Sequence, residues 1–403
     1  MISETTTLPV TPALSWETLP RSATILPTRH GRAAVFLSIG DLPEPLRFRL
    51  LAGRCQDHRY HAVLEATLTD GFDYRYALLE EAETGALAIQ PFFLVDQDIT
   101  AGLPMALRQP VEKLRSFFPR ALKLKILMVG CTAGEGQLDS AEPWAVEALS
   151  EVVEKYARQV RAKMILFKDF PATCREALTP LLTRGYCRAP SMPGATMALG
   201  FDDFDDYMGQ RLSRIYRKGL RRKFRDSERH GRLEMEVIVD ATPFAAEIHA
   251  LYLQTHHRSH LKFEELTPAY LSELGRQMPD RVRFFLWRLD GRIVAFALCM
   301  VHDGTLYDLN LGLDYAVALD LHLYFITWRD LVSWAFEQRL QRYATGPLNY
   351  DPKLHLRLDL APLDLWARHL SPVINPIFGR VMPYLQPTRH DPVLAQFANA
   401  HEL

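Results

Sequence analysis

Polar side chains near the end of one predicted strand are the first candidates for catalysis. Tyr307, Asp308 and Asn310 lie in an apolar run over residues 305–312. Because side chains alternate along a strand, Tyr307 and Asp308 are expected to point to opposite faces, with Asn310 on the face of Asp308. His322 begins the next predicted helix, where an imidazole can act as a base near neutral pH. These four side chains are our candidate catalytic residues for a reaction that removes a proton from a nucleophile.

Three histidines, His256, His257 and His260, lie close together in the second half of the chain. His256 and His260 have the i, i+4 spacing of a metal-binding pair on a helix. However, the sequence offers no clear third ligand and no HExxH motif. We therefore predict no metal site and interpret the three histidines as substrate-binding groups in a cleft.

A stripe of cations marks the segment between the two halves, residues 201–231, which is predicted to form one long helix. The positions that we expect to bind a cofactor are Arg217, Lys218, Arg221 and Arg222. CoA phosphates, lipid head groups and RNA are possible ligands, and a solvated helix face is the alternative. Few aromatic side chains are interleaved for base stacking, so nucleic acid is the least favoured partner.

Two loops are further candidates for binding a phosphate group. Lys353 follows Gly346 in a predicted turn, where we expect it to bind a phosphate of the cofactor, with an ordinary solvated lysine as the alternative. The loop at residues 130–136 contains three glycines and joins a strand to a helix, but it matches neither the Walker motif nor G-x-G-x-x-G. We interpret it as a plain turn, with a vestigial pyrophosphate loop as the alternative.

Composition restricts the class of protein. The chain has 403 residues, 24% of them charged, and a net charge of −1, which argues against a globally basic nucleic-acid binder. Its five cysteines include no CxxC pair, so neither a disulfide framework nor a zinc site is indicated. Charged residues interrupt every apolar stretch, and no signal peptide is recognisable. We expect a cytoplasmic protein, either free or peripheral on the inner face of the membrane.

Hydrophobic periodicity indicates the same order of elements twice: an antiparallel meander, a helix and a further strand. The first half contains a predicted hairpin (73–80 and 86–95) and helices over 143–160 and 172–184. The second half contains strands over 282–289, 292–301 and 305–312, joined by two Asp-Gly turns, and a helix over 319–340. The expected divisions are a leader (1–30), a first domain (31–200), a basic connecting helix (201–232), a second domain with the active site (233–370) and an apolar, proline-rich tail (371–403).

Several short motifs in this order resemble the tandem-GNAT N-acyltransferases of the FemAB-like type. The segment Ser213–Lys223 is similar to the linker helix of that family, Leu321-His322 to the start of a helix in its second domain, and Gly346 with Lys353 to its G…K loop. The resemblance implies an α/β (α+β) fold of two GNAT-like domains, each a mostly antiparallel mixed sheet flanked by helices. Neither half has the Q/R-x-x-G-x-G/A loop that binds pyrophosphate in many GNAT domains.

The resemblance also implies a function. We expect transfer of an acyl group from acyl-CoA, a co-substrate rather than a permanently bound cofactor, to a primary amine. The basic helix and the apolar segment 370–385 favour a long-chain donor and a lipid amine at a membrane surface, such as the sphingoid base used by bacterial ceramide synthases. The alternatives are an aminoacyl-tRNA-dependent ligase acting on a cell-wall precursor and a non-catalytic module that binds the membrane.

Overall fold

The computed structural model describes residues 16–98, 123–259, 262–385, 387–389 and 391–403. Its strands are β1 (Thr24–Thr28), β2 (Gly31–Phe36), β3 (Phe72–Glu81), β4 (Leu87–Asp98), β5 (Lys123–Val129), β6 (Met164–Pro171), β7 (Cys187–Pro190), β8 (Gly194–Ala198), β9 (Leu233–Ile238), β10 (Val282–Leu289), β11 (Arg292–His302), β12 (Thr305–Leu313), β13 (Arg342–Thr345), β14 (Asp359–Ala361) and β15 (Leu363–His369). Its α-helices are α1 (Glu44–Arg47), α2 (His58–Thr67), α3 (Pro143–Gln159), α4 (Arg175–Leu178), α5 (Phe204–Arg211), α6 (Arg214–His230), α7 (Ala245–Arg258), α8 (Pro268–Gln277), α9 (Leu323–Glu337), α10 (Tyr350–His355) and α11 (Ile374–Leu385).

The described strands form two mixed sheets. The first has the order β1-β2-β3-β4-β5-β6-β15-β7, and the second has the order β14-β8-β13-β12-β11-β10-β9. Each contains one parallel pair, β5 with β6 and β12 with β13, in otherwise antiparallel pairing. This architecture confirms the predicted α/β class with two mixed sheets.

Two strands lie in the sheet of the other half of the chain. β8 precedes residue 200, the expected end of the first domain, yet it pairs with β13 and β14 of the second sheet. β15 follows the second sheet in sequence, yet it is inserted between β6 and β7 of the first. The expected leader likewise ends in a strand, because β1 pairs with β2 at the edge of the first sheet. Hydrophobic patterns alone do not specify which sheet a strand joins.

The two sheets share a core. One face of each sheet and the helices α2, α7 and α8 contribute to a single buried cluster between them. Across this interface the hydroxyl oxygens of Tyr60 and Tyr270 lie 2.9 Å apart, and Arg59 pairs with Asp280 at 2.6 Å. The opposite face of the first sheet packs on α3, and that of the second packs on α5, α6 and α9. In the described residues, no helix combines the length and the apolar character that crossing a membrane requires.

Three predicted helices differ from the structure. The single helix expected over 201–231 is two helices, α5 and α6, because Leu212 is extended and Ser213 caps the second by accepting a hydrogen bond from the Tyr216 amide. Ile215, in the first turn of α6, is 86% exposed, whereas Leu220 and Phe224 of the same helix are buried. The helix expected over 172–184 is only α4 between two 3-10 turns, since Pro180 lacks the amide that would continue it. The helix expected over 319–340 is shorter, because residues 314–322 form a turn before α9.

Candidate active site

The parallel pair β12 and β13 opens into a cleft. The two strands pair from Thr305 with Arg342 to Asp308 with Thr345, and no further pair follows in the described part of the chain. A β-bulge at Leu309 interrupts the pairing of β12 with β11 at the same level. Beyond Asp308 the edge of β12 therefore has no strand partner on the side of β13, and backbone groups there could pair with an extended ligand or with a carbonyl oxygen.

The bulge decides where the predicted strand residues point. Tyr307 lies opposite Met300 of the central core, whereas Asp308 lies opposite Cys299 on the other face of the sheet. Their predicted opposite orientation is confirmed. Asn310 lies opposite Leu298, which belongs to the central core. The prediction that Asn310 shares a face with Asp308 is therefore wrong, because the extra residue Leu309 shifts the alternation by one.

Asp308 and Lys353 belong to a buried polar cluster beneath the cleft. The Tyr343 hydroxyl donates to Asp308 Oδ2 at 2.7 Å, and Lys353 Nζ donates to the carbonyl oxygens of Gly346 (2.5 Å) and Leu348 (2.8 Å). Burial raises the pKa of Asp308. Burial also lowers the pKa of Lys353 to about 8, although the negative charge of Asp308 acts in the opposite direction. Lys353 is only 5% exposed, so it is not the solvated loop lysine that we considered. Instead it holds the loop that follows β13.

The corresponding position in the first sheet is filled by the chain itself. β5 and β6 pair in parallel only as far as Val129 with Phe167. Beyond them the loop at residues 130–136 packs against β6, with the Gly136 amide donating to the Asp169 carbonyl at 2.9 Å. A Cβ on Gly136 would lie 2.5 Å from the Lys168 carbonyl oxygen, which leaves no room for a ligand strand. The loop therefore fills the first cleft, which lies beyond the paired ends of β5 and β6, whereas the second cleft lies beyond the paired ends of β12 and β13.

Substituting Gly136→Ala is expected to destabilise the protein by about 1–3 kcal/mol, because the new methyl group overpacks against β6. The matched control is Gly346→Ala at the second cleft, where no atom lies within 4 Å of the added Cβ. Urea unfolding of both variants measures the difference. If the two variants are equally stable, the loop at residues 130–136 does not fill the first cleft as tightly as described.

The same loop carries a carboxyl group into the space between the sheets. Gly194 of β8 lies between this carboxyl group and the end of β13. A Cβ added to Gly194 would lie 3.8 Å from Glu135 Oε1 and 3.1 Å from the Thr345 carbonyl oxygen. Desolvation, helped by the charge of Asp169 and opposed by Lys168, raises the pKa of Glu135 to about 6. The Glu135 side chain is exposed to solvent, so a ligand can reach it.

Glu264 is a second perturbed carboxyl group in this space. Desolvation raises its pKa to about 7, although the charge of Lys168 opposes the shift. Lys168 Nζ lies 2.6 Å from Asp169 Oδ2 and 4.9 Å from the centre of the Phe263 ring. Carboxyl groups with pKa values near neutrality are suited to accept a proton from a reacting group. Sequence reasoning missed both glutamates; the only signal was the placement of Glu135 between Gly134 and Gly136 in a loop after a strand.

The predicted histidines lie in two different places. His256 Nδ1 is 3.0 Å from the Tyr252 hydroxyl and its Nε2 is 3.7 Å from Glu265, with the His257 ring beside it. His260 lies outside the described residues. His322 precedes α9 with a left-handed backbone (φ 49°), and desolvation together with Lys223 and other cations of α6 lowers its pKa. His322 is therefore placed beside α6 rather than in the polar cluster of Asp308.

The basic stripe lies on α6, at the border of the loop that Lys353 holds. Tyr216 of α6 stacks on His355 of α10 with ring centres 5.4 Å apart. The Arg217 guanidinium donates to the Gly209 carbonyl oxygen at 3.0 Å, and Arg221 lies 3.6 Å from Asp205. Lys218 and Arg222 are exposed to solvent. These side chains can bind an anionic ligand near the mouth of the second cleft.

The turn before α9 binds its own backbone. The amides of Val317 and Ala318 donate to the Asp314 carbonyl oxygen at 3.1 and 2.9 Å, and the Ala316 amide donates to the Asp314 side chain at 3.0 Å. Asp314 therefore occupies the three amides at the start of this turn, which are not available to a ligand.

Comparison with known proteins identifies the architecture. Residues 214–353, which contain the open cleft, match the family model described as an acetyltransferase (GNAT) domain. The crystal structure of FemX superposes with a TM-score of 0.52 at 12% identity, covering 83% of this chain and 97% of FemX. The fold is a tandem GNAT fold. The description of the matched domain supports acyl transfer as the class of reaction.

Two other solved structures are similar to this tandem GNAT fold at lower scores. A tandem GNAT protein from the clavulanic acid biosynthesis pathway is 10% identical, with a TM-score of 0.43 over 78% of this chain and 88% of its own. The C-terminal domain of a putative lysylphosphatidylglycerol synthetase from Agrobacterium fabrum is 15% identical, with a TM-score of 0.44 over 74% and 85%. No curated protein matches the sequence significantly.

Proposed function

We propose that the protein transfers an acyl group from acyl-CoA to a primary amine in the cleft beyond the paired ends of β12 and β13. The observation that carries this proposal is the open, bulged edge of β12 with the Glu135 carboxyl group facing the end of β13. In the reaction, the neutral amine attacks the thioester carbonyl carbon, an amide bond forms, and the carbon–sulfur bond breaks. The amine proton passes to the Glu135 carboxylate, and the CoA thiolate leaves and is protonated.

The other cleft residues have supporting roles in this proposal. Backbone amides on the open edge of β12 donate to the oxygen of the thioester carbonyl as negative charge develops there. Tyr307 points toward the shared core, and because desolvation raises its pKa the phenol stays protonated and can donate to the leaving thiolate. Asp308, Tyr343 and Lys353 keep the end of β13 in position from beneath. No step requires a metal ion.

The CoA phosphates would be bound by cations of α6, namely the half-buried Arg217 and the exposed Lys218, Arg221 and Arg222. This assignment is supported by the position of α6 beside the loop after β13, where Tyr216 stacks on His355. A long-chain donor and a lipid acceptor, such as a sphingoid base, are the finer part of the proposal. They are supported by the apolar side chains that α11 exposes to solvent. His256 and His257, on the same side as Glu265, would contact the acceptor.

A second candidate donor is an aminoacyl-tRNA, whose ester is attacked by the same amine. The α6 stripe favours it, because a row of exposed cations suits a phosphate backbone as well as a CoA moiety. The two donors differ in the salt dependence of binding, since a tRNA releases many more counterions than CoA.

The experiment is a thermal-shift series with acetyl-, octanoyl- and palmitoyl-CoA, with free CoA as control, followed by turnover with a sphingoid amine. A donor at a hundred times its Kd adds about 2.7 kcal/mol of stability. Stabilisation that increases with chain length, followed by amide formation, supports the acyl-CoA proposal. Transfer only from aminoacyl-tRNA would replace it with the second candidate, and no transfer from either donor would indicate a non-catalytic protein.

A further inference from the structure

The helix α11 exposes an apolar stripe to solvent. Ile374, Ile377, Val381 and Tyr384 follow one another at spacings of three, four and three residues, so they lie on one helical face. Their exposed fractions are 47%, 58%, 42% and 68%, and Val373 just before the helix is 75% exposed. Amphipathic helices on a globular protein normally turn such a stripe toward the core. Here it faces outward.

This orientation is fixed by the opposite face of the helix. Asn375 Oδ1 accepts a hydrogen bond from the His369 amide at 2.8 Å, and its Nδ2 donates to the Gly185 carbonyl oxygen at 2.8 Å. These bonds attach the start of α11 to the end of β15 and to the turn before β7. Phe378 and Met382, on the inner side, are partly buried. The apolar stripe is therefore presented by an anchored helix.

The charged side chains of the segment that carries the stripe have one sign. Between residues 371 and 389 the only charged side chains are Arg380 and Arg389, and the Arg389 guanidinium lies 5.3 Å from the Tyr384 ring centre. The chain entering the helix passes Lys163, whose carbonyl oxygen accepts from the Leu370 amide at 2.9 Å. Lys163 and the neighbouring Arg161 are exposed. An apolar stripe framed by cations is complementary to an anionic surface with an apolar interior.

We propose that α11 docks this face of the protein on an anionic lipid membrane. The apolar stripe enters the boundary between head groups and acyl chains, while Arg380 and Arg389 contact the phosphates. The twelve residues of α11 extend about 18 Å, well short of the hydrocarbon core, so the helix lies in the plane of the membrane. A second copy of this chain is a less suitable occupant, because a two-fold contact through this face would bring cations of the same sign together.

The test is cosedimentation of the full-length protein with vesicles of phosphatidylcholine alone and of a three-to-one mixture with phosphatidylglycerol. The protein is expected to bind the anionic vesicles preferentially, with weaker binding as salt increases. The double variant Ile377→Asp, Val381→Asp is expected to lose binding at least about tenfold. The matched control is Ile25→Asp, because Ile25 is also exposed (56%) but lies on the edge strand β1 at the other end of the first sheet.

A second variant protects the test against misfolding. Arg380→Glu changes only an exposed charge and is expected to weaken binding to anionic vesicles while leaving the unfolding midpoint unchanged. Equal binding of wild type and both variants would overturn the proposal. So would a dimer in vesicle-free solution that the double variant dissociates, since the stripe would then be a contact between copies. Acyl transfer to a soluble amine without vesicles is expected to be unaffected, which separates this proposal from the proposed reaction.

Discussion

Replacing Glu135 with Gln is expected to lower kcat/KM for amine acylation by about 10²- to 10⁴-fold, the usual contribution of a general base. The amide has nearly the same shape as the carboxyl group but cannot accept the amine proton. Folding should be preserved. The wild-type carboxyl group has its pKa raised from 4.5 to about 6, so the folded state binds its proton more tightly than the unfolded chain does. The contribution of Glu135 to the free energy of unfolding therefore decreases as the pH rises from 4.5 to about 6. Glu135→Gln should lack this pH dependence.

The pH dependence of the rate identifies the base. In the wild type, kcat/KM is expected to rise with pH through about 6, because only the carboxylate form accepts a proton. Glu135→Gln should lack that limb, whereas the control Glu142→Gln, an exposed residue at the start of α3, should retain it. If Glu135→Gln is fully active, the base is another group. A limb near pH 7 that disappears in Glu264→Gln would assign that role to Glu264.

Replacing Lys353 with Met is expected to destabilise the protein by about 3 kcal/mol, because a buried cation is removed from the groups that it pairs. The carbonyl oxygens of Gly346 and Leu348 lose their donor, and Asp308 loses the nearby positive charge. Activity should fall too, since the loop after β13 borders the cleft. Urea unfolding and steady-state kinetics measure the two effects.

The matched control is Lys163→Met, at an exposed lysine, which should change stability by less than about 0.5 kcal/mol. Arg at position 353 should not restore stability, because a planar guanidinium does not fit the site of a compact ammonium group. A variant with wild-type stability and only a raised KM for the acyl donor would contradict this interpretation. It would assign Lys353 to donor binding, the role predicted for it from the sequence.

Local signals predicted the second-domain meander well. Both Asp-Gly pairs adopt positive φ in the hairpin turns, 50° and 80° at Asp290 and Gly291 and 45° and 65° at Asp303 and Gly304. The bulge at Leu309 has no such signal, because the residue lies in a regular alternating run. Its position depends on pairing with β11, which a single strand does not specify. The error in the orientation of Asn310 follows from that one residue.

The candidate site was harder to predict than the fold. The opposite orientation of Tyr307 and Asp308 follows from strand geometry alone. The shifted pKa values of Glu135, Glu264 and Lys353 arise because segments distant in sequence desolvate these side chains. No motif or residue spacing in the sequence indicates such a shift. The stripe on α6 is recognisable by composition, but the break before it depends on Ser213 acting as a helix cap, and a serine within a helical pattern does not by itself indicate a cap.

The exchange of β8 and β15 has a consequence for how the chain folds. A chain cut near residue 200 would leave the second sheet without β8 and the first without β15, each an internal strand whose loss exposes unpaired edges on both sides. Asp364 of β15, only 1% exposed, also pairs with Arg175 and Arg188 of the first half at 2.6 and 2.8 Å. Neither half is therefore an independent folding unit, and the two should unfold in one cooperative transition.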